Sequence, residues 1–159
     1  MIHGIRAMFI ETSRSSIDLN ELINQMLQKR TVVVRTELAK VPLFVVANRV
    51  QVQHVFFNLV TNAIEAMDAV VDRSRSILIK IELASGEASV AIEDSGTGIL
   101  PDDLERIFST FFTTKARGMG MGLSICRSII ESHGGGLWAS AGHPFGTIFH
   151  FTLPVGKID

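Results

Sequence analysis

This chain of 159 residues has little cysteine and no excess of either charge. The single cysteine, Cys126, excludes an internal disulfide and a cysteine-rich metal site, and its place in an apolar helical run predicts a buried thiol, which suits a reducing cytosol. The 15 basic and 16 acidic residues leave a formal net charge of -1, so we expect no nucleic acid partner. Any anionic ligand must be bound by a local arrangement of residues.

Long apolar runs are also absent. No stretch approaches the roughly 20 residues that a membrane-spanning helix needs, and the first residues lack the apolar core of a signal peptide. We therefore expect a soluble, cytoplasmic stretch without direct membrane contact, although the parent protein could be anchored in a membrane. With 47% hydrophobic residues, the chain is long enough for one globular domain with a substantial core.

Apolar residues at helical spacing predict three amphipathic helices, at residues 18–30, 48–67 and 123–136. The apolar stripe of the second helix is predicted to consist of Val55, Leu59, Ala63, Ala66 and Met67. The third helix is stopped by glycines, which end helices because they adopt backbone conformations that other residues avoid.

Six runs of β-branched or alternating apolar residues predict strands, at residues 31–38, 43–47, 76–83, 88–94, 137–141 and 146–154. The first two lie on either side of a turn at Val41-Pro42. The next two are joined by four residues that include a glycine, which favours an antiparallel hairpin. Helices and strands together predict an α/β two-layer sandwich, in which a helical layer covers one sheet.

Polar residues share one face of the second predicted helix. Asn58 and Asn62 are one turn apart, and Glu65 lies a further turn along. Two amide oxygens and a carboxylate can therefore point at one spot, and oxygen ligands suit Mg²⁺. The alternative is a solvated polar face, which is the more frequent outcome for two asparagines alone.

A second candidate site begins where a predicted strand ends in an acidic residue. Asp94 could accept a hydrogen bond from an exocyclic amine, and Gly96 and Gly98 would let a flat ring approach the backbone. The alternative is an ordinary turn, because Asp-Ser-Gly is common turn chemistry.

A third candidate site is the run of alternate glycines, Gly118, Gly120 and Gly122, that leads into a helix at Leu123. Unshielded N–H groups at a helix start bind anions, and the missing side chains let phosphate oxygens reach them. The spacing matches neither the Walker loop nor the dinucleotide fingerprint, and a flexible hinge is the alternative. Lys115 could supply a charge to a terminal phosphate, or could simply be solvated.

Together and in this order, the motifs resemble the ATP-binding catalytic domain of sensor histidine kinases, in the superfamily shared with gyrase, the heat-shock chaperone ATPases and mismatch-repair proteins. "NLVTNAIEA" is similar to the asparagine box, "DSGTGI" and "GMGMGLSI" to the two glycine boxes, and "IFSTFFTTK" to the phenylalanine box. The resemblance extends from about Ile17 to Pro154. It implies a Bergerat-type fold, with about three helices over a mixed, mostly antiparallel five-stranded sheet, and it implies ATP and Mg²⁺ as ligands.

The resemblance also implies roles for the matching residues. Asn62 would hold Mg²⁺ with help from Asn58, Asp94 would accept a hydrogen bond from the adenine amino group, and Thr147 would support that contact. The implied catalytic residues are Asn58, Asn62 and Lys115. The implied nucleotide contacts are Asn58, Asn62, Glu65, Asp94, Gly96, Gly98, Ile99, Phe112, Thr113, Thr114, Lys115, Gly118, Met119, Gly120, Met121, Gly122, Leu123 and Thr147.

A mobile lid over the nucleotide is implied as well, from Ile99 to roughly Met119. Three phenylalanines would pack the lid down, namely Phe108, Phe111 and Phe112. The alternative is that they are ordinary core residues, as aromatic residues usually are.

One position separates the branches of this superfamily. Its hydrolases place a glutamate four residues before the magnesium asparagine, whereas this chain has Asn58. Because an amide cannot accept a proton near neutral pH, water would not be activated there. The resemblance therefore favours phosphoryl transfer to another acceptor, for which the enzyme supplies mainly positioning and charge neutralisation.

The expected acceptor is missing from the sequence. Kinases of this family carry a phosphorylated histidine on a preceding helical hairpin, typically followed by an acidic residue. The chain has five histidines, none with an acidic residue after it: His3, His54, His133, His143 and His150. The resemblance implies that residues 1–17 are the tail of the second dimerisation helix and residues 18–159 the catalytic ATP-binding domain.

The partners implied are the dimerisation domain of the same parent protein, which would carry the acceptor histidine, and the receiver domain of a response regulator. Two other function classes stay open. A stand-alone serine kinase of the anti-sigma type uses the same nucleotide site, and a nucleotide-sensing module would bind without catalysis.

Overall fold

The core of the protein lies between one face of a sheet and a layer of helices. The structure, a computed structural model, describes residues 14–26, 32–109 and 122–156. The α-helices in these ranges are α1 (Leu19–Met26), α2 (Arg49–Ala66) and α3 (Gly122–Ser132). None of them is long and apolar enough to cross a membrane. The strands are β1 (Ser15–Asp18), β2 (Val33–Glu37), β3 (Phe44–Ala47), β4 (Ser76–Ala84), β5 (Glu87–Asp94), β6 (Leu137–Ala141) and β7 (Thr147–Pro154).

The main sheet has five strands in the order β2-β4-β5-β7-β6. β2 runs parallel to β4, and the other neighbouring strands are antiparallel. Alternate residues of β5, from Ala88 to Asp94, are buried, whereas the residues between them are only partly covered. Because successive side chains of a strand point to opposite faces, this pattern shows that the helices cover one face. The predicted two-layer sandwich with a mixed, mostly antiparallel five-stranded sheet is confirmed.

α2 packs on the sheet through side chains at helical spacing. Its buried residues are Val52, Val55, Phe56, Leu59, Val60 and Ala63. The rings of Phe56 and of Phe151 on β7 meet edge to face, with centroids 5.1 Å apart, which is a favoured arrangement of aromatic rings. The predicted stripe is buried at four of its five positions, and Ala66 is partly buried.

The hairpin of β4 and β5 forms as predicted. The strands pair from Ile77 opposite Asp94 to Ala84 opposite Glu87. Ser85 and Gly86 join them with φ angles of 54° and 78°, as a two-residue turn that follows the twist of the strands requires. This register places Asp94 at the open end of the hairpin, close to the start of β4.

β2 and β3 lie on either side of the predicted turn at Val41-Pro42, but they belong to different sheets. β3 pairs antiparallel with β1 in a separate two-stranded sheet. Asn20 on α1 holds the connection between β2 and β3, because its side chain donates to the Ala39 carbonyl (3.1 Å) and accepts from the Ala39 N–H (3.3 Å). The connection is therefore held to α1 at Ala39, and β2 and β3 do not form a hairpin with each other.

The strand Ser15–Asp18 corrects the prediction that the chain up to residue 17 continues a dimerisation helix. Ile17 is 1% exposed and lies opposite Val45 of β3. Burial of this side chain in the small sheet therefore favours an extended backbone at residues 15–17. Residues 1–13 lie outside the described ranges, so their assignment as a helix tail stays a prediction.

α3 carries the single cysteine and is linked to α2 by a histidine. Cys126 is buried as predicted, and burial raises the pKa of its thiol to about 12. His133 follows the helix and is also buried. Its Nε2 accepts from the Asn48 N–H (3.1 Å), and its Nδ1 lies 2.8 Å from the Ile129 carbonyl oxygen. Because Asn48 caps α2, the end of α3 is bonded to the start of α2.

The contact between the sheet and α2 can be tested with Phe151→Ala. This substitution empties a fully buried ring position against Phe56, so the free energy of unfolding should fall by about 3–5 kcal/mol. Urea unfolding followed by circular dichroism measures the change. The control is Val71→Ala, because Val71 is 91% exposed and its truncation should cost less than about 0.5 kcal/mol. An equal loss in the two variants would contradict the described core.

Candidate functional site

Two asparagines of α2 turn their amide nitrogens back onto the helix. Asn58 Nδ2 donates to the His54 carbonyl oxygen (2.9 Å), and Asn62 Nδ2 donates to the Asn58 carbonyl oxygen (2.8 Å). Each side-chain oxygen therefore faces away from these carbonyls. The oxygen of Asn58 lies at the start of α3, where a Cβ added to Gly122 would come within 2.9 Å of it. The partly buried Glu65 follows one turn after Asn62, and the convergence of the amide oxygens on one ligand stays a prediction.

His54 contacts one of the predicted site residues and was not among the predicted residues itself. It lies one turn before Asn58, is exposed, and has Nε2 3.1 Å from Asn58 Nδ2. The amide group of Asn58 therefore meets two atoms of one residue, a carbonyl oxygen and a ring nitrogen. The ring nitrogen accepts in the tautomer that carries its proton on Nδ1. The spacing of four residues on a helix is the signal that could have predicted this contact.

Asp94 is a buried carboxylate at the end of β5, with 3% of its surface exposed. Its Oδ1 accepts from the Gly96 N–H (2.8 Å) and from the Thr147 N–H at the start of β7 (3.3 Å). The first bond is turn chemistry, as the alternative interpretation expected. The second bond joins a residue 53 positions away, so the carboxylate is held between two segments and is more than part of a turn.

Close packing at two glycines makes this arrangement possible. A Cβ at Gly96 would lie 2.6 Å from the Ala66 carbonyl oxygen, and a Cβ at Gly146 would lie 2.0 Å from the Asp94 carbonyl oxygen. Real side chains do not occupy such distances. Gly146 was not among the predicted site residues, and only its place just before Thr147 hinted at its role.

The turn after Asp94 rests on the end of α2. The Thr97 N–H donates to the Ala66 carbonyl oxygen (3.3 Å), which is one of the carbonyls that a helix end leaves without an internal partner. Gly98 follows with a φ of 85° and packs against Gly146. A hydrogen bond thus connects the turn after the buried carboxylate to the helix that carries the asparagine face.

Residues 99–109, the described part of the predicted lid, are anchored to the core. Ile99 packs against the core, and Phe108 is 5% exposed, with its ring edge to face with Phe149 at 6.3 Å. Arg127 of α3 lies 4.0 Å over the Phe108 ring and pairs with Glu105 at 2.5 Å. The hydrogen bond from Arg127 and its charge lower the pKa of the Glu105 carboxyl. Phe108 therefore packs inward. Both interpretations of this residue, as a lid anchor and as an ordinary core residue, require such packing.

Much of the predicted phosphate-binding segment lies outside the described residues. Gly122 and Leu123 are described, as the first two residues of α3, which matches a glycine run that leads into a helix. The predicted residues outside the described ranges are Phe111, Phe112, Thr113, Thr114, Lys115, Gly118, Met119, Gly120 and Met121. Their roles stay predictions.

Comparison with known proteins places this geometry among nucleotide-binding domains. Residues 47–157 match the family described as histidine kinase-, DNA gyrase B-, and HSP90-like ATPase. The chain is 47% identical over 110 residues to the sensor protein FixL of Bradyrhizobium diazoefficiens, which is 69% of this chain and 22% of FixL.

Solved structures agree with the sequence comparison. The catalytic domain of histidine kinase ThkA aligns with a TM-score of 0.78 at 36% identity, over 90% of this chain and 96% of that one. ThkA in complex with the response regulator protein TrrA aligns with a TM-score of 0.74 at 34% identity, over 90% of this chain and 42% of that one. The chain therefore spans 22% of the length of FixL, but it matches nearly all of the ThkA domain.

The packing of the turn on α2 can be tested with Gly96→Ala. The added methyl group would lie 2.6 Å from a backbone oxygen, so the turn must shift, and the free energy of unfolding should fall by about 1–3 kcal/mol. Urea unfolding measures this loss. Gly156→Ala is the matched control, because a Cβ there meets nothing within 4 Å. Equal stability of the two variants would refute the close contact.

Proposed function

The chain belongs to the family of histidine kinase-, DNA gyrase B- and HSP90-like ATPases, as the catalytic domain of a sensor histidine kinase, and from this premise we propose its reaction. It binds ATP with Mg²⁺ and transfers the γ-phosphate to a histidine on a dimerisation domain of the same parent protein. The observation that carries this proposal is the connection of the Asp94 turn to α2 at Ala66, because it packs the turn of a buried carboxylate on the helix that carries both asparagines.

Asp94 is suited to accept a hydrogen bond from the adenine ring. Its orientation is fixed by two backbone N–H groups on Oδ1, and a carboxylate accepts from the amino group of adenine but faces the carbonyl oxygen of guanine with repulsion. Thr147 supports this contact through its backbone N–H. Gly96 and Gly98 offer backbone without side chains next to the carboxylate, where a flat ring has room to lie.

The asparagine face fits Mg²⁺. Asn62 would hold the ion with help from Asn58, because amide oxygens are ligands that this metal accepts, and it completes its shell with water and phosphate oxygens. A Mg²⁺ ion held there would neutralise charge on the phosphates. Glu65 supplies a carboxylate further along the same helix. Gly118, Gly120 and Gly122 would line the phosphates, and Lys115 would add a positive charge.

Transfer to a histidine is favoured over hydrolysis because the site lacks a base at the required position. The amide of Asn58 cannot take a proton from water. His54 lies beside it with Nε2 3.1 Å from Asn58 Nδ2, so in the tautomer protonated on Nδ1 this lone pair accepts from the amide. Similarity to FixL and ThkA also supports the histidine-kinase branch over an anti-sigma serine kinase.

The partners follow from this reaction. The dimerisation domain supplies the acceptor histidine, and a receiver domain of a response regulator takes the phosphoryl group afterwards. ThkA has been solved in complex with such a regulator, which supports a similar partner here. All of these partners would meet the chain in the cytoplasm.

Magnesium-dependent binding can be tested with Asn62→Ala. Loss of one oxygen ligand resembles loss of a contact to a charged group, about 1.5–3 kcal/mol, so the affinity for ATP with Mg²⁺ should fall roughly ten- to a hundredfold. Calorimetric titration with Mg²⁺ and again with a chelator separates metal from nucleotide effects, and Thr61→Ala on the same helix is the control. Equal affinities of wild type and Asn62→Ala under both conditions would argue against the assignment.

Phosphoryl transfer can be tested with radiolabelled ATP. The chain alone should not label itself, because it has no histidine followed by an acidic residue. It should also release little labelled phosphate by hydrolysis, because Asn58 supplies no base. Adding the dimerisation domain of the parent should give an acid-labile label on that domain, more slowly than in a linked protein, because the effective concentration is lower. Acid-labile label on this chain alone would overturn the proposal, and acid-stable label on a serine would indicate the anti-sigma type.

A further inference from the structure

Arg73 lies in the segment between α2 and β4 and reaches the turn that follows Asp94. Its Nε donates to the Ser95 carbonyl oxygen (3.0 Å), and its Nη2 donates to the Gly96 carbonyl oxygen (2.8 Å). Its Nη1 pairs with Asp72 at 3.0 Å, and the side chain is 22% exposed. One guanidinium therefore fixes two successive peptide groups of this turn.

The same guanidinium contacts a second segment. Its Cζ lies 3.7 Å from the centroid of the Phe145 ring, close enough for cation–π attraction. Phe145 belongs to the loop that enters β7, two residues before Thr147, and the Gly142 N–H closes this loop on the Gly146 carbonyl oxygen (2.9 Å). Stacking on Phe145 thus places one end of this loop against Arg73.

These two segments converge on one atom. The turn supplies the Gly96 N–H and the loop supplies the Thr147 N–H, and both donate to Asp94 Oδ1. Arg73 holds the carbonyl of Gly96 itself and the ring two residues from Thr147. A small displacement of either segment would rotate or shift the carboxylate between them.

We propose that Arg73 is a positioning residue for adenine recognition, which sets the carboxylate of Asp94 by holding both segments that donate to it. The inference rests on the proposed ATP-binding function and extends it to a residue outside the four sequence motifs. Arginine suits the task because its planar group donates in a fork and stacks on a ring at the same time, whereas a lysine keeps only the charge.

A purely structural role would have a different signature. If Arg73 only stabilised the fold, its loss would weaken ATP and GTP binding by the same factor. If it positions Asp94, its loss lowers the affinity for ATP more than that for GTP, because adenine presents an amino group to the carboxylate where guanine presents a carbonyl oxygen. The ratio of the two dissociation constants therefore separates the two roles.

The experiment measures displacement of a fluorescent nucleotide by ATP and by GTP in the full chain with Mg²⁺. Wild type should prefer ATP by at least about tenfold. Arg73→Met and Arg73→Lys should both reduce this preference at least about threefold, because neither has the forked donors. The matched control is Arg75→Met. Arg75 donates to the Val70 and Asp68 carbonyls of the same segment (3.3 and 3.1 Å), so its loss should leave the preference for ATP unchanged.

Substitutions of Phe145 test the same inference independently if the Arg73 variants do not fold. Phe145→Leu removes the stacking ring and should lower the ATP preference, whereas Phe145→Tyr keeps the ring and should retain it. A preference within twofold of wild type in the folded Arg73→Met or in Phe145→Leu overturns the inference. Equal affinities for ATP and GTP in wild type would instead count against the proposed adenine site, and with it against Arg73.

Discussion

The buried carboxylate of Asp94 is the constraint on which the site depends. A charged group removed from water costs several kcal/mol unless hydrogen bonds replace its hydration. Here, one backbone N–H from its own turn and one from the start of β7 reach the same oxygen. The chain must pass close to Asp94 on both sides, and it can do so because Gly96 and Gly146 have no side chains that would meet backbone oxygens.

α2 fixes the distance between the two asparagines and the turn that follows Asp94. The middle of the helix presents the amide oxygens of Asn58 and Asn62, and its last turn receives the Thr97 N–H at Ala66. Four residues of helix separate Asn62 from Ala66, which is about 6 Å along the axis. In the proposed function, the distance between the adenine site and the metal site is thus set by a rigid helix that also forms the core with β7.

Local signals allowed much of the fold to be predicted from the sequence. The β4–β5 hairpin depends on a two-residue turn, and α2 on a periodic apolar stripe, so neighbouring residues carried the information. The β1–β3 sheet was missed because its strands have four residues each, and their pairing joins residues far apart in the sequence, such as Ile17 and Val45. The stacking of Arg73 on Phe145 has no local signal at all, because 72 positions separate them.

The hydrogen bond from the Asn48 N–H to His133 Nε2 would report motion between α2 and α3 in a spectrum of the backbone amides. The Asn48 amide proton is shared with a ring nitrogen 85 positions away, whereas the amides inside each helix bond to carbonyls of the same helix. Separation of the two helices breaks this bond, whereas the hydrogen bonds inside each helix persist. The resonance of this one amide is therefore a natural spectroscopic reporter, which distinguishes sliding of α3 against α2 from melting of either helix without any attached label.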